Sequence, residues 1–364
     1  MLFAIDFVRA GSGGAKEYME SMISYLGKRQ DIEYLLILNR DQPSNLSRSL
    51  SKNSVVICPF KNIVFVVLWQ AFILPVILRR RNVQSLLITD ASTTVFFKKQ
   101  IVMHRDMLAF DSQLVSQYLK HRLYKKYVRL KMIKYLQIFN LWYASKALFL
   151  TDHAKETVFR YCTMPNSVVI PHGIRKEYFE THEKRRDTDV VVTYVSNSAP
   201  YKHQINLIKA FETVQTNYFD KLRLKLVGAS SGDTSEQLLR YIDIKNHAWL
   251  TVLPFLAREK VIDELINSSF FVFLSSCECM PNTLLQKMAQ GKAILCSNLR
   301  PMTDILPEDS VFCDPLDVAS IIEGLSTILS NSNGAFERKE NSEIAKQYTW
   351  DKSFDLVLSE LASL

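Results

Sequence analysis

Thirteen short apolar runs, separated by segments of helical length, constrain the fold of this 364-residue chain more than any other feature. No run exceeds six residues, which is typical of parallel strands buried on both faces. The first half holds Leu2–Ile5, Tyr34–Leu38, Val55–Ile57, Leu86–Ile88, Ile101–Met103, Leu148–Leu150 and Val168–Ile170. The second half holds Val190–Val195, Leu222–Val227, Leu250–Val252, Phe271–Leu274, Ala293–Cys296 and Val311–Phe312. We therefore predict an α/β fold made of two doubly wound units of similar size.

A charged stretch without apolar periodicity, Lys176–Asp189, separates the two sets of runs and suits an interdomain linker. We predict an N-terminal domain at residues 1–172, a linker at 173–189 and a C-terminal domain at 190–340. Residues 341–364 are expected to form a helix that packs back across the domains. The cleft between two such domains is the default place for a ligand.

The net charge of +8 favours anionic partners. The basic residues are interpreted as dispersed, and no nucleic-acid-binding motif is found, so we expect no nucleic acid. Six scattered cysteines and an N-terminal sequence unlike a signal peptide indicate reduced thiols and a cytoplasmic location. Cys277 and Cys279 have no second pair and no close histidine, so no metal site is expected.

Two helical segments bear on membrane contact. Ile63–Leu78 is an apolar run of 16 residues that contains Gln70 and Pro75. Because a spanning helix needs about 20 apolar residues, we predict a buried helix there. The segment 121–136 is rich in lysine, arginine and aromatic residues. It is either a surface helix docked on its sheet or an interfacial helix on anionic lipid headgroups, with the protein peripheral on the inner face of the plasma membrane.

The stretch Phe271–Asn298 gathers polar groups between a strand and a helix. It has the pattern of strand, loop, helix and strand, with Asn282 as the expected N-cap and Gly291 as the helix stop. Free amide groups at that helix start favour a phosphate, and Glu278 beside it suits sugar hydroxyls. An ordinary loop without a ligand is the alternative.

Three further places follow strands in the same way. The glycines of Arg9-Ala-Gly-Ser-Gly-Gly-Ala allow a ligand to approach the backbone, although a plain tight turn explains them equally well. Lys202 precedes a helix and is either a phosphate ligand or a solvated surface lysine. His104 ends a strand, where open α/β sheets bind ligands, although a lone histidine is more often structural.

Five segments together resemble the retaining glycosyltransferases of family 4, which have the GT-B fold. They are GG at 13–14, VIPHGI at 169–174, YVSNSAPYKH at 194–203, FVFLSSCECMPNTLLQKMAQGKAI at 271–294 and YTWDKSF at 348–354. The resemblance covers nearly the whole chain in the right order and is strongest in the C-terminal half. It implies two Rossmann-like domains that face each other across a cleft.

The resemblance also implies roles for single residues. Glu278 matches the contact to the donor sugar, Lys202 the diphosphate lysine, and His104 a histidine near the transferred sugar. The nucleotide diphosphate site is expected at Gly13, Gly14, Ser196, Asn197, Phe255, Met280, Pro281, Asn282, Thr283 and Gln286. The chain departs from the family at three positions: Gln286 replaces a ribose-binding glutamate, Ser196 and Asn197 stand where an arginine is usual, and Arg175 replaces an aspartate.

The function implied is transfer of a sugar from a nucleotide-diphosphate sugar to an acceptor hydroxyl, with retention at the anomeric carbon and without a metal or other cofactor. The expected acceptor is a saccharide or lipid-linked saccharide of bacterial surface polysaccharide, such as O-antigen or lipopolysaccharide. Two alternatives remain open, a nucleotide-sugar epimerase on the same architecture and an inactive partner subunit.

Overall fold

A computed structural model describes residues 2–11, 13–29, 31–41, 55–120, 123–164, 166–180, 189–216, 221–331 and 336–364. The chain divides into two compact units. The first unit consists of Met1–Gly173 and Tyr348–Leu364, and the second unit of Ile174–Gln347. Each unit is described by itself.

The first unit is built on a seven-stranded sheet in the order β3-β2-β1-β4-β5-β6-β7. The strands are β1 Leu2–Asp6, β2 Glu33–Asn39, β3 Val55–Cys58, β4 Ser85–Ile88, β5 Gln100–His104, β6 Lys146–Phe149 and β7 Ser167–Val169. Every neighbouring pair is parallel. The helices are α1 Gly13–Leu26, α2 Ile63–Leu68, α3 Leu74–Arg80, α4 Ser112–Lys120, α5 Tyr124–Tyr143 and α6 Asp152–Phe159.

The second unit has a six-stranded sheet in the order β10-β9-β8-β11-β12-β13, again parallel throughout. Its strands are β8 Val190–Val195, β9 Leu222–Val227, β10 Leu250–Leu253, β11 Phe270–Phe273, β12 Ile294–Ser297 and β13 Val311–Cys313. Its helices are α7 Gln204–Gln215, α8 Ser235–Lys245, α9 Arg258–Asn267, α10 Asn282–Met288, α11 Met302–Ile305, α12 Val318–Asn331 and α13 Lys339–Ala345. All thirteen predicted runs are strands, and the predicted fold class is confirmed.

A last helix, α14 Trp350–Ala362, belongs to the first unit and packs on α1. The ring of Tyr18 on α1 lies 5.6 Å from that of Trp350 and 5.4 Å from that of Phe354. Gly173 is required at this contact, because a Cβ there would lie 2.1 Å from the Trp350 amide nitrogen. Parts of two of the segments that carried the resemblance, VIPHGI and YTWDKSF, therefore meet in the core of the first unit.

The two units differ in extent from the predicted domains. Residues 174–180 of the predicted linker and 341–347 of the predicted C-terminal segment lie in the second unit, and only 348–364 returns to the first. Most of the predicted linker, residues 181–188, lies outside the described part of the chain.

The prediction of a buried helix at 63–78 is wrong. Residues 63–80 form one continuous helical rod, in which α2 leads through a π-helical turn at Trp69–Ile73 into α3. The turn ends two residues before Pro75, which lacks the amide hydrogen that a regular helix would use. Only the side of the rod that carries Trp69 and Leu74 is buried. Phe72, on the other side, is 70% exposed. By length and composition, Ile63–Arg80 is the one helix among the described residues that is apolar enough to cross a membrane.

The bounds of the basic, aromatic segment 121–136, for which a docked surface helix and an interfacial helix were both left open, also differ in the structure. His121 and Arg122 lie outside the described residues, and α5 runs from Tyr124 to Tyr143, about two turns beyond the predicted end. Leu130, Gln137, Asn140 and Leu141 face the rest of the unit. Asn140 anchors the helix by donating from Nδ2 to the Ala91 carbonyl oxygen at 2.8 Å.

Candidate functional site

The strand order of the second unit creates a crevice between β8 and β11. From β8 the chain winds outward through β9 and β10, and from β11 it winds the other way through β12 and β13. Open parallel sheets bind ligands at such a switch point, beyond the carboxyl ends of the strands. Lys202 follows β8 and Glu278 follows β11.

Lys202 and Glu278 form an ion pair at this switch point. The Lys202 Nζ lies 2.5 Å from a carboxylate oxygen of Glu278 and donates to the Ser275 hydroxyl at 3.3 Å. Both side chains are largely buried. The Lys202 backbone is held in turn, because its carbonyl oxygen accepts from the Tyr194 hydroxyl at 2.9 Å. Lys202 is therefore not a solvated surface lysine.

The helix that follows Glu278, α10, starts one residue earlier than predicted. Pro281, rather than the predicted Asn282, is the N-cap of α10, and Asn282 is its first residue. The carbonyl oxygen of Pro281 accepts from the amides of Leu284 at 2.9 Å and Leu285 at 3.2 Å, whereas the amide of Asn282 donates back to the Met280 carbonyl oxygen at 2.9 Å. Asn282 and Thr283 are partly exposed, and Gln286 is buried behind them. The helix ends at Met288, before Gly291 with its φ of 62°.

Lys287 is a residue that the sequence reasoning missed. Its side chain is completely buried, although lysine is rarely found so. The Nζ donates to the Val195 carbonyl oxygen at 3.5 Å and the Thr283 carbonyl oxygen at 3.3 Å. Burial, with the nearby charge of Lys202, lowers the pKa of Lys287 to about 7. A lysine inside an otherwise apolar helix face was the available signal.

The loop after β8 adds polar groups beside the Lys202–Glu278 pair. The Gln204 amide donates to the Ser196 hydroxyl at 2.9 Å and to the Asn197 carbonyl oxygen at 2.7 Å. His203 Nε2 lies 2.9 Å from the Ser276 hydroxyl, which ties this loop to the loop after β11. Burial lowers the pKa of His203 to about 4, so the ring is neutral at physiological pH. Phe255, after β10, is exposed.

The first unit has its own switch point, between β1 and β4. Gly13 and Gly14 open α1 there with exposed backbone, and Gly13 has a φ of 56°. Arg9 donates from Nη1 to the Ser92 carbonyl oxygen at 2.6 Å and to its hydroxyl at 3.0 Å. Ser92 in turn donates from its hydroxyl to Asp90, whose carboxylate lies 3.7 Å from Arg105. The end of this sheet is therefore lined by charged groups that hold one another in place.

Asp6, the last residue of β1, was also missed. It is buried and accepts from the Val8 amide at 2.9 Å and from the Gln70 side chain at 2.8 Å. Burial raises the pKa of Asp6 to about 6. The sequence shows an acidic residue at the end of a strand, but it does not show that Gln70, which is 64 residues away in the chain, contacts it.

His104 ends β5 as predicted, but its ring is completely buried. The ring lies 5.1 Å from that of Phe110 and 5.8 Å from that of Phe149. Burial lowers the pKa of His104 to about 4, which keeps the ring neutral. The structure thus gathers Lys202, Glu278, Ser196, Asn197 and the start of α10 in the second unit. It places Gly13, Gly14 and His104 in the first unit.

The residues that the structure describes contain no group of three or more histidine, cysteine, aspartate or glutamate side chains arranged for a metal ion. Cys277 and Cys279 are buried and form no disulfide.

Residues 175–348 match the model of the family described as glycosyl transferases group 1. No curated protein sequence matches the chain. Similar solved structures include sucrose-phosphate synthase from Thermosynechococcus elongatus, with a TM-score of 0.79 at 13% identity over 98% of each chain. HepE from Anabaena, solved in complex with UDP-glucose, has a TM-score of 0.76 at 14% identity over 100% of each chain.

The lipopolysaccharide outer core galactosyltransferase WaaB, in its apo form, has a TM-score of 0.67 at 13% identity over 100% of this chain and 99% of that one. Similarity at such low identity concerns the fold, whereas the family match concerns the residues of the second unit. Residues 175–348 thus form a glycosyl transferases group 1 domain, in a chain that has the GT-B fold.

Proposed function

We propose that the protein is a glycosyltransferase that moves a sugar from a nucleotide-diphosphate sugar to the hydroxyl of a saccharide acceptor. The observation that carries the proposal is the buried Lys202–Glu278 pair at the switch point of the glycosyl transferases group 1 domain. A buried ion pair costs desolvation energy and is poor evidence of a stabilising role. Its position at the ligand-binding end of the sheet favours a role in binding.

The pair supplies the two kinds of group that the donor requires. Two ammonium hydrogens of Lys202 point to Glu278 and Ser275, which leaves the third for a phosphate oxygen of the donor. Glu278, as an acceptor of hydrogen bonds, binds hydroxyls of the sugar. Charge grows on the leaving diphosphate in the transition state, so the lysine stabilises that state more than the ground state.

Lys287 takes the place of the second cation. The family's usual arginine is replaced by Ser196 and Asn197, but the Lys287 Nζ lies next to Ser196 through its bond to the Val195 carbonyl oxygen. Gln286 binds the ribose hydroxyls as an amide, without the charge of a glutamate. Met280, Pro281, Asn282 and Thr283 line the phosphates, and Phe255 lies at the edge of the nucleotide site. For the first unit, the family resemblance assigns His104, Gly13 and Gly14 to substrate binding.

The finer parts of the proposal follow the family resemblance. Transfer proceeds with retention and without a metal ion or other cofactor, and the donor phosphate acts as the base. The acceptor is a lipid-linked saccharide of surface polysaccharide, such as O-antigen, at the cytoplasmic face of the membrane. The similarity to WaaB, a lipopolysaccharide outer core galactosyltransferase, supports this class of acceptor.

A titration of the purified chain with UDP, GDP, dTDP and their sugar conjugates tests the proposal, because a ligand that binds the native state raises its thermal stability. We expect one nucleotide to raise the melting temperature, and Lys202→Ala and Glu278→Ala to weaken that shift while the fold is kept. UDP-glucose is the first donor to try, since HepE binds it.

Lys225→Ala is the matched control, because Lys225 pairs with Glu264 at 2.7 Å in the same unit but away from the crevice. The control is expected to bind the nucleotide as the wild type does. If no nucleotide binds and no donor is hydrolysed, the proposal fails, and the replacement of a family glutamate by Gln286 then favours an inactive partner subunit.

A further inference from the structure

The side of α5 that faces away from the first unit is apolar. Tyr124, Val128, Met132, Tyr135, Phe139 and Trp142 are all exposed, and Tyr135 is 71% exposed. At 100° per residue they fall within an arc of about 80°, so they form one continuous stripe. A helix on a soluble surface has polar residues on this side. Exposed apolar stripes of this length mark interaction sites.

The rod formed by α2, the π-helical turn and α3 has a similar outer stripe. Phe65, Leu68, Phe72 and Val76 recur every three or four residues and are exposed, as are Ile63, Val64 and Ile73. The two stripes border a common groove of about 840 Å³. Ile63 and Val67 line one wall, and Val128, Met132 and Leu136 line the other. We call the two stripes and the groove the docking face.

Cations surround the docking face. Arg9, Lys125 and Arg129 line the groove beside its apolar residues. Lys131, which packs over the Tyr127 ring, flanks the α5 stripe, and Arg79 and Arg80 close the rod.

The charge of the chain is concentrated in the segments that carry this face. Residues 42–89 and 112–151 contain 14 of the 45 Lys and Arg residues and none of the 37 Asp and Glu residues. The remainder of the chain therefore carries a net charge of −6. The basic residues themselves are spread along the chain, and these segments are positive because they lack acidic residues. An apolar face within the only strongly positive part of the sequence is complementary to an anionic lipid bilayer.

The packing of the rod decides how it meets a bilayer. Gln70, at its centre, donates to the buried carboxylate of Asp6 at 2.8 Å, and Trp69 and Leu74 are buried in the unit. A spanning helix would have to withdraw these side chains from the core. The rod can therefore insert only its outer stripe, while its inner side stays on the sheet.

We propose that the docking face binds anionic membranes, with the outer stripes of α5 and the rod inserted among the lipids and the basic side chains on the headgroup phosphates. The inference deepens the proposed function, since a lipid-linked acceptor is reached at a membrane surface. It predicts binding to lipid even in the absence of donor and acceptor.

Sedimentation of the full chain with lipid vesicles tests the proposal. We expect binding to phosphatidylcholine vesicles that contain phosphatidylglycerol, release of most of the protein at high salt, and little binding to pure phosphatidylcholine. Phe72→Glu combined with Tyr135→Glu places one charge on each stripe and is expected to weaken vesicle binding by about tenfold or more. Lys125→Glu combined with Lys131→Glu is expected to weaken it by a similar factor.

Ile244→Glu is the matched control, because Ile244 is a 77% exposed helical residue of the second unit. This variant is expected to bind vesicles as the wild type does. All variants should melt at the wild-type temperature and keep the nucleotide-induced shift, which separates failure of this inference from failure of the proposed function.

Three outcomes would overturn the inference. The first is equal vesicle binding by the wild type and both double variants. The second is resistance of bound protein to extraction at alkaline pH, which indicates a spanning helix. The third is that the wild type does not bind vesicles but forms a dimer, and that Phe72→Glu dissociates this dimer. That result would assign the docking face to a second copy of the chain.

Discussion

Replacement of Lys287 by methionine is expected to stabilise the protein and at the same time weaken donor binding. The two side chains have similar volumes, but methionine carries no charge into the apolar surroundings. A residue that destabilises the native state is retained more readily when it serves a ligand, as trade-offs between stability and activity show. The substitution therefore separates a binding role from a structural one.

The size of the stabilisation follows from the pKa. The pKa of Lys287 falls from 10.5 to about 7 on folding. This shift corresponds to a cost of roughly 5 kcal/mol for the protonated form, and on the order of 4 kcal/mol at pH 7.5. Loss of the two long hydrogen bonds to Val195 and Thr283 offsets about 2 kcal/mol. A net gain of roughly 2 kcal/mol raises the melting temperature by about 4–8 °C in a unit of this size.

The pH dependence has a definite sign. The native pKa of Lys287 is lowered, so its cost is fully present below about pH 7 and is relieved as the pH rises towards the unfolded value of 10.5. Since the lost hydrogen bonds cost the variant about 2 kcal/mol at every pH, the advantage of Lys287→Met in the free energy of unfolding should be largest below about pH 7. It should fall to zero near about pH 9 and become a disadvantage by about pH 10.5. Urea unfolding of both proteins across this range measures it.

Donor binding should change in the opposite direction. A bound diphosphate favours the protonated lysine, so the wild type is expected to take up as much as about 0.7 proton per nucleotide at pH 7.5. Calorimetry in buffers of different ionisation enthalpy measures this uptake. Lys287→Met should bind roughly 30-fold more weakly and lose most of the uptake.

Lys292 provides the matched control. Its Nζ donates to the carbonyl oxygens of Leu265, Ile266 and Ser268 at 2.7–3.0 Å, at the end of α9. Lys292→Met should destabilise the protein and leave donor binding unchanged. If Lys287→Met behaves in the same way, Lys287 is structural and the reasoning is refuted.

Three further predictions concern the first unit. Gly173→Ala should lower the free energy of unfolding by about 3 kcal/mol, because its Cβ would meet the Trp350 amide; an unchanged urea midpoint would contradict this contact. Asp6→Asn should stabilise the protein at pH 8 by up to roughly 3 kcal/mol, because the charge buried above pH 6 is removed, and this difference between variant and wild type should disappear below about pH 4. His104→Gln should leave any rise or fall of transfer rate between pH 5 and 8 in place, since burial keeps this histidine neutral above about pH 4. A pH limb lost in His104→Gln would show that the histidine titrates in the working enzyme.

The fold could be predicted almost completely, because parallel strands buried on both faces appear as apolar runs that need no partner to be recognised. β8 and β9 were predicted to the residue, and the other strands within one or two residues. Lys202 and Glu278 were recognised from the loops that follow two strands, but that they pair at 2.5 Å depends on strands that are far apart in sequence. The helix at 63–80 is a feature for which the prediction from the sequence failed. Its composition was interpreted as burial, although the sheet covers only one side of it.

The sequence by itself determined the two parallel sheets, the polar loops at the ends of their strands, and an excess of positive charge in two segments without acidic residues. Local patterns suffice for these features, since hydrophobic periodicity and loop composition are properties of neighbouring residues. Only the tertiary structure decided that Lys287 is buried beside Val195, that Gln70 reaches Asp6, and that two helices expose apolar stripes around one groove. These features depend on which elements pack together, because burial and charge are set by contacts between residues that the chain alone does not bring near each other.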